Sequence, residues 1–390
     1  MSWEKKRLSE LTTIYSGYAF KSKELSHTSG IPLIKIKNIH NRIVDKEVLT
    51  FLPEALFKDK YEKYLLKKGD VLIAMTGQGS VGRIGKMMYV EGTYLVNQRV
   101  GIIRANKEKL NSEFLYQCLA TKTNESIYFN LAMGAGQPNL SPKDIGGLEM
   151  KIPSSLQTQK RIADILSAYD NLIENNLKRI KLLEQAAQNI YKEWFVHLRF
   201  PGCENAPIDE ETRIPEGWSV LKLGEISNLK YGKMPKANKK NERGYPIYTG
   251  YRISGYYQEK MFSDPTLIVV ARGVGGTGDV KISPRECWLT NLSIAVINNE
   301  ESSFQAYLYY FLKSAKLRYL DSGSAQSQIT INSLEKVKVT LPSIQLQVIF
   351  QKKFDDFSSM TENLKIQNKK LKTARDILLP RLMNRTIEVE

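Results

Sequence analysis

The chain carries one pattern twice, and that duplication limits the architectures open to it. WEKKRLSELTTIYSG begins at Trp3 and WSVLKLGEISNLKYG begins at Trp218. Leu8, Glu10, Leu11, Ile14 and Gly17 return 215 positions later as Leu223, Glu225, Ile226, Leu229 and Gly232. The echo continues at a slowly shrinking offset. DVLIAMTG from Asp70 matches TLIVVARG from Thr266, VGRIG from Val81 matches TGDV from Thr277, and Asn97 matches Asn291. FLYQCLA from Phe114 matches YLYYFLK from Tyr307, and GQPNLS from Gly136 matches AQSQIT from Ala325. MKIPSSLQTQ from Met150 matches VTLPSIQLQ from Val339. A period this long is far beyond a solenoid unit, so the chain reads as two related domains in tandem, each followed by the same connecting element. Two such modules with differing interiors suit one partner gripped at two places.

The partner is indicated by charge. With 57 Lys and Arg against 41 Asp and Glu, the 390 residues carry a formal charge of +16. That excess fits a polyanion, most often nucleic acid, although a merely soluble basic protein shares it. Cys118, Cys203 and Cys287 form no CxxC pair, and His27, His40 and His197 offer no zinc spacing. Neither a signal-peptide core nor a bilayer-length apolar run is visible, so the expected location is the cytoplasm, away from membranes.

Each copy is expected to open with a Trp-led helix, LSELTTIYSG or LGEISNLKYG, closed by a glycine. Short β-branched and aromatic runs follow, then a short helix, a Gly/Ser/Gln loop and a last strand ending at Pro153 or Pro342. The fold class is α/β of the mixed α+β kind: two tandem related domains separated by two long helices. The expected boundaries are 1–155, a first helix 156–198, a linker 199–217, a second domain 218–342, and a second helix with tail 343–390.

The helices carry a heptad seam. Ile162, Leu166, Tyr169, Ile173, Asn176, Ile180, Leu183, Ala187, Ile190 and Trp194 step by alternating fours and threes. Phe350, Phe354, Phe357, Thr361, Leu364, Asn368, Leu371, Arg375, Leu378 and Leu382 repeat the register 188 positions on. Such a stripe also fits a helix packed on its own domain; two matching seams favour mutual pairing as an antiparallel coiled coil. Each seam covers about 50 Å at the helical rise, more than one turn of DNA. A pseudo-twofold axis through the middle of both seams gives facing residues a constant sum of 544. Asn176 then faces Asn368, Ile180 faces Leu364, Ala187 faces Phe357, Trp194 faces Phe350, and Tyr169 faces Arg375 as a cation–π pair.

No catalytic core is apparent. Gly77-x-Gly79-x-x-Gly82 resembles a dinucleotide fingerprint, but a strand-like run follows it where a helix is required. The P-loop, the Asn-Pro-Pro-Tyr or Asp-Pro-Pro-Tyr motif of amino-methyltransferases and the Gly-x-Ser-x-Gly elbow are all missing. The residue types point instead to DNA contacts. In MTGQGSVGRIG, small residues let main-chain N–H groups approach phosphates while Thr76, Gln78, Ser80 and Arg83 supply donors. Its counterpart ARGVGGTGDVK supplies Arg272 and Thr277. A tight β-turn explains the glycines alone. IKIKNIHNR offers Lys37, Asn38 and Arg42, types suited to phosphates and base edges, and equally to a solvated strand face. Lys233, Lys236, Arg252 and Tyr256 lie in a basic stretch interleaved with tyrosines. Gln98, Arg99, Gln137, Asn139, Asn291, Gln326 and Gln328 complete the candidate set.

The arrangement resembles the specificity subunit (HsdS) of Type I restriction–modification enzymes across essentially the whole chain. The carriers are the duplicated Trp-x4-Leu-x-Glu-Leu/Ile openings, PEGW at Pro215 to Trp218, RFPG at Arg199 to Gly202, the Gln-rich helix starts LQTQKRIADIL and IQLQVIFQKKF, and LLPRLM at Leu378 to Met383. The resemblance implies two target-recognition domains, each reading half of a bipartite double-stranded DNA sequence. It implies spacer helices that set the distance and dock two methyltransferase subunits (HsdM), with motor and endonuclease subunits (HsdR) in addition. S-adenosylmethionine would sit on the methyltransferase subunits, leaving no cofactor, metal or catalytic residue in this chain. A self-sufficient DNA-cleaving or DNA-modifying enzyme with a hidden site, and a coiled-coil scaffold for proteins, remain the competing readings.

Overall fold

The computed structural model describes residues 2–45, 47–87, 90–133, 138–273, 276–299, 301, 303–322 and 327–389. The chain divides into two compact units, residues 1–176 with 366–390, and residues 177–365.

In the first unit, β1 (Trp3–Arg7) pairs antiparallel with β11 (Glu149–Pro153), with Trp3 opposite Pro153. A single helical turn, α1 (Leu8–Leu11), leads into β2 (Thr12–Ser16). This strand joins β10 (Val100–Ala105), β7 (Val71–Ala74) and β8 (Ile84–Gly85) in the order β2-β10-β7-β8. β3 (Ile31–Ile34) lies between β6 (Phe51–Leu52) and β9 (Leu95–Val96) in a second sheet. β4 (Ile39–His40) and β5 (Ile43–Val44) form a hairpin of their own. α2 (Ser112–Leu119), α3 (Lys122–Ala132) and α4 (Pro142–Gly146) complete the unit, with the long helix α5 (Leu156–Tyr191) following β11.

The second unit repeats the plan. β12 (Ser219–Lys222) pairs with β21 (Lys338–Leu341), α6 (Leu223–Ile226) is the single turn, and β13 (Ser227–Tyr231) enters the sheet β13-β20-β17-β18. The partners in that sheet are β17 (Leu267–Val270), β18 (Val280–Ile282) and β20 (Ser293–Asn298). The accessory sheet differs. β14 (Lys240–Asn241), β16 (Ile253–Tyr257), β15 (Tyr245–Tyr248) and β19 (Trp288–Leu289) lie in that order. α7 (Gln305–Ser314), α8 (Ile331–Leu334) and the long helix α9 (Ile344–Met383) follow.

The Trp-led helices of the sequence reading are therefore corrected to strand, single turn, strand. Thr12, Thr13 and Ile14 are β-branched, and the edge of β10, 89 to 93 positions away, completes their hydrogen bonding, with Ile14 opposite Ile103. The matched glycines are not helix caps either. A Cβ on Gly17 would lie 2.3 Å from the Val96 carbonyl oxygen, and one on Gly232 would lie 2.2 Å from that of Thr290. Both positions need glycine because two backbones cross there.

The Gln-rich helix starts have a structural job. Gln159 is fully buried; its Nε2 donates to the Pro153 carbonyl at 2.9 Å and its Oε1 accepts from Asn111 N at 2.8 Å. Gln347 does the same in the second unit, reaching the Pro342 carbonyl at 2.9 Å and Phe304 N at 3.1 Å. Each glutamine ties a long helix to the strand before it and to the preceding short helix.

The two long helices pack together along the seam, and every seam position is buried or half-buried. In the first unit the start of α5 packs with the end of α9: Ile162, Ala163 and Leu166 share a core with Leu379 and Leu382. In the second unit Ala187, Tyr191 and Phe195 share one with Leu346 and Phe350. Both pairings join an early stretch of one helix to a late stretch of the other, which is the antiparallel sense. Asn176 Nδ2 donates to Asn368 Oδ1 at 2.9 Å, as the constant sum requires, and Trp194 lies 6.1 Å from Phe350 between ring centroids. Ile180 and Leu364 are both buried. Of the remaining seam residues, Ile173 is buried, and Leu183, Ile190, Phe357, Leu371 and Leu378 are half-buried. The expected Tyr169–Arg375 stack is replaced by an ion pair, because Arg375 Nη1 donates to Asp170 Oδ1 instead. A buried carboxylate attracts a guanidinium more strongly than a ring quadrupole does.

Candidate nucleic-acid interface

In the first unit three segments meet at the end of β7. The wholly buried strand Val71–Ala74 delivers the turn that runs from Met75 to Gly85. Ser80 N and Val81 N both donate to the Gly77 carbonyl at 3.0 Å, and Gly82 N closes onto Ala74 O at 2.9 Å. Met75 N donates to Arg99 O at 3.0 Å and Leu140 N to Met75 O at 2.8 Å, while Thr76 bridges to Asn139. Residues far apart in the chain, namely Thr76, Arg99 and Asn139, are thereby brought to one place. Gln78, Gln98, Arg99 and Asn139 are exposed there, and Thr76, Ser80 and Arg83 are half-buried. The Arg83 guanidinium folds back onto the Gly79 carbonyl of its own turn. Gln137 lies outside the described residues.

The second unit builds the same site with other side chains. Ala271 N and Arg272 N donate to Leu292 O at 2.8 and 3.1 Å, Ile329 N donates to Ala271 O at 2.9 Å, and Arg272 bridges to Gln328. Arg272 Nε, Thr290 Oγ1 and Asn291 Oδ1 are buried without a hydrogen-bond partner. A buried polar group left unpaired costs about 1–3 kcal/mol, so this cluster is held in place at a cost that the rest of the fold offsets. Lys233, Lys236, Arg252 and Tyr256 are exposed on the stretch leading through β16. Gln326 lies outside the described residues, and Gln328 is half-buried.

Three candidates have internal roles instead. Asn38 is 3% exposed; it accepts from Lys35 N at 3.0 Å and donates to Glu47 O at 3.3 Å, which holds its own turn closed. Thr277 is 5% exposed and donates its hydroxyl to Gly273 O at 3.1 Å. Arg42, at the tip of the β4–β5 hairpin, turns inward, whereas its neighbour Lys37 is exposed. The Arg42 guanidinium lies 5.2 Å over the Tyr116 ring and donates to Ala120 O, to Gln117 Oε1 at 2.7 Å and to Asp170 Oδ2 at 3.5 Å. Gln117 Nε2 also reaches Asp170 Oδ2, at 2.7 Å. Asp170 is thus shared by Arg42 from the domain, Gln117 from α2 and Arg375 from α9. Arg375 was visible in the sequence as a polar seam position. Asp170 and Gln117 gave no signal, since nothing local distinguishes a buried carboxylate or amide from a solvated one.

Burial pushes the Tyr116 phenol up to about 12, so it stays protonated and donates to the Arg42 carbonyl at 2.8 Å. No group of three or more His, Cys, Asp and Glu among the described residues is placed to hold a metal ion, and no helix of the described residues is long and apolar enough to cross a membrane.

The two matched modules each carry a polar three-segment site at the end of the equivalent strand, β7 in one and β17 in the other. Residues 1–185 and 215–373 match the Type I restriction modification DNA specificity domain, and the chain belongs to that family. It is a DNA specificity subunit of a Type I restriction–modification system, the non-catalytic recognition subunit. The Type I restriction enzyme MjaIX specificity subunit of Methanocaldococcus jannaschii is 25% identical over 434 residues, covering 100% of this chain and 94% of that protein. The HindI specificity subunit of Haemophilus influenzae is 23% identical over 408 residues, covering 83% and 87%. The crystal structure of a Type I restriction–modification S subunit from M. genitalium shares the fold, with a TM-score of 0.59 over 98% of this chain and 96% of that one at 20% identity.

Proposed function

We propose that residues 1–155 and 218–342 each read one half of a bipartite double-stranded DNA target. The helices over 156–198 and 343–390, joined through the linker 199–217, would hold the two readers at a fixed spacing. The observation that carries this reading is that both units assemble the same three-segment site on the same scaffold but furnish it differently. Thr76, Arg99 and Asn139 stand at one site, and Arg272, Asn291 and Gln328 at the other. Like scaffolds with unlike donors and acceptors are what two different half-sites call for. The exposed Lys37, Gln78, Gln98, Lys233, Lys236, Arg252 and Tyr256 supply further phosphate and base contacts around them.

The chain works within a Type I complex. The outer faces of the two long helices dock two methyltransferase subunits (HsdM), which hold S-adenosylmethionine, and motor subunits (HsdR) join that assembly. Exposed apolar side chains on those helices support a docking role, among them Leu172, Leu182, Met360 and Ile377, each at least half exposed. The test uses the complex with its methyltransferase subunits. Once the methylated adenine motif is mapped, binding is measured on duplexes with either half scrambled. Loss of specific binding on scrambling either half supports two readers; indifference to one half removes them.

A further inference from the structure

The second unit contains an open cavity of about 520 Å³ beside its recognition turn, lined by Asp279, Lys281, Tyr309, Lys313, Lys316 and Arg318 among others. Four cations face one carboxylate. Lys281 Nζ lies 3.8 Å above the Tyr251 ring, and Asp279 Oδ2 accepts from the Tyr251 hydroxyl at 3.3 Å. Lys313 Nζ touches the Tyr309 hydroxyl at 3.1 Å. None of the four cations has a carboxylate partner among the described residues.

The walls are fixed by backbone. Gly278 takes φ +92°, and a Cβ on it would lie 2.9 Å from Arg318 N, so the turn and the Lys316–Leu320 segment are pressed together. Lys316 itself adopts φ 49°, a left-handed conformation uncommon for a residue with a side chain. The charge is thus held around the cavity by a turn that only a close-packed backbone maintains.

The first unit shows what this space is for when the chain fills it. By the internal repeat, Thr277–Lys281 corresponds to Val81–Gly85 and Tyr309–Lys313 to Tyr116–Ala120. There the β4–β5 hairpin closes the space. Lys86 N donates to Arg42 O at 3.2 Å, a Cβ on Gly85 would lie 2.8 Å from Ile43 O, and the Arg42 guanidinium covers Tyr116 and reaches Ala120 O. The first unit brings its cation in on an inserted hairpin. In the second unit Lys281 replaces Gly85 and Lys313 replaces Ala120, the cations sit on the walls, and the corresponding chain forms β16 in the accessory sheet instead.

We propose that this cavity takes a phosphate group of the bound DNA backbone, making the second domain a two-part binder with base-edge contacts at Asn291 and Gln328 and a phosphate seat behind the turn that Arg272 opens. This rests on the DNA-reading function above. A phosphate suits the seat because it is small, doubly served by ammonium and guanidinium donors, and indifferent to sequence.

The test compares the full chain in its methyltransferase complex with the same complex carrying Lys313→Ala and Arg318→Ala. Both side chains are exposed, so folding is not at issue. Affinity for the target duplex is followed against salt, and single methylphosphonates are placed along the backbone. The expected result is a salt slope shallower by about one unit, so that the fall in affinity between about 50 and 200 mM salt shrinks three- to fourfold. The methylated motif stays the same. One methylphosphonate position weakens the unaltered complex and leaves the variant unchanged. An unchanged slope with no such position overturns the proposal, and an unchanged slope with impaired assembly assigns the cavity to an acidic protein surface. If the unaltered complex itself shows no salt-dependent specific binding, the DNA-reading function fails before the seat is reached.

Discussion

Asp170 shows how far a single side chain's role depends on partners that are remote in sequence. Its carboxylate is 10% exposed and lies between Arg42 and Arg375, with Gln117 completing the set. Removing one member of a buried pair leaves uncompensated charge, so Asp170→Asn is expected to destabilise the first unit by about 3–5 kcal/mol in denaturant unfolding. Replacing Arg42, Asp170 and Arg375 together by Met, Leu and Met should recover most of that loss. The second unit supports this, because the equivalent seam and flanking positions are Ala187 and Ser358, and it folds without the charges. Recovery failing, with the single variant as stable as the parent, would show the cluster to be incidental. Arg272 and Arg83 occupy comparable turns and both read as phosphate contacts in the sequence, yet only Arg272 retains an unpartnered buried nitrogen. Arg272→Ala is therefore expected to lower the salt slope of DNA binding by about one unit with the preferred sequence intact, and Arg83→Ala by less. An altered preferred sequence would make Arg272 a base reader. Residue types alone placed Asn38, Arg42 and Thr277 among the contacts. They are polar and near the right turns, and only tertiary packing turns them inward.

The elements were legible where the signal is local. A heptad seam depends on neighbours three and four positions away, so its members, its register and the pairing of Asn176 with Asn368 follow from the sequence by counting. The opening of each domain was misread because its determinant is remote. Thr12–Ser16 is extended through a strand that begins at Val100. The asparagine pair satisfies its own amides: Asn368 Nδ2 also reaches Ile173 O at 3.4 Å, so a slipped register would strand both in an apolar seam. With Cys118, Cys203 and Cys287 changed to Ser, cysteines at 176 and 368 are expected to cross-link rapidly on mild oxidation, while cysteines at 176 and 375 should not. Equal or reversed yields on a non-reducing gel would contradict this register.

At the scale of the whole molecule the duplication is the organising fact, and it was plain in the sequence because matched words recur in order. The sequence did not reveal how the copies diverge in three dimensions. The first unit closes its accessory space with a hairpin carrying Arg42, and the second leaves Lys281, Lys313, Lys316 and Arg318 around an open cavity. Divergence of this kind is what the proposed reading of two different half-sites requires. Separability of the halves follows, since each unit has its own core and its own three-segment site.

The most direct measurement exchanges residues 218–342 for the equivalent region of another family member and maps adenine methylation across the host genome. The account predicts a motif with one half replaced, the other half retained and the spacing between them unchanged. A motif in which both halves change, or neither does, would contradict it.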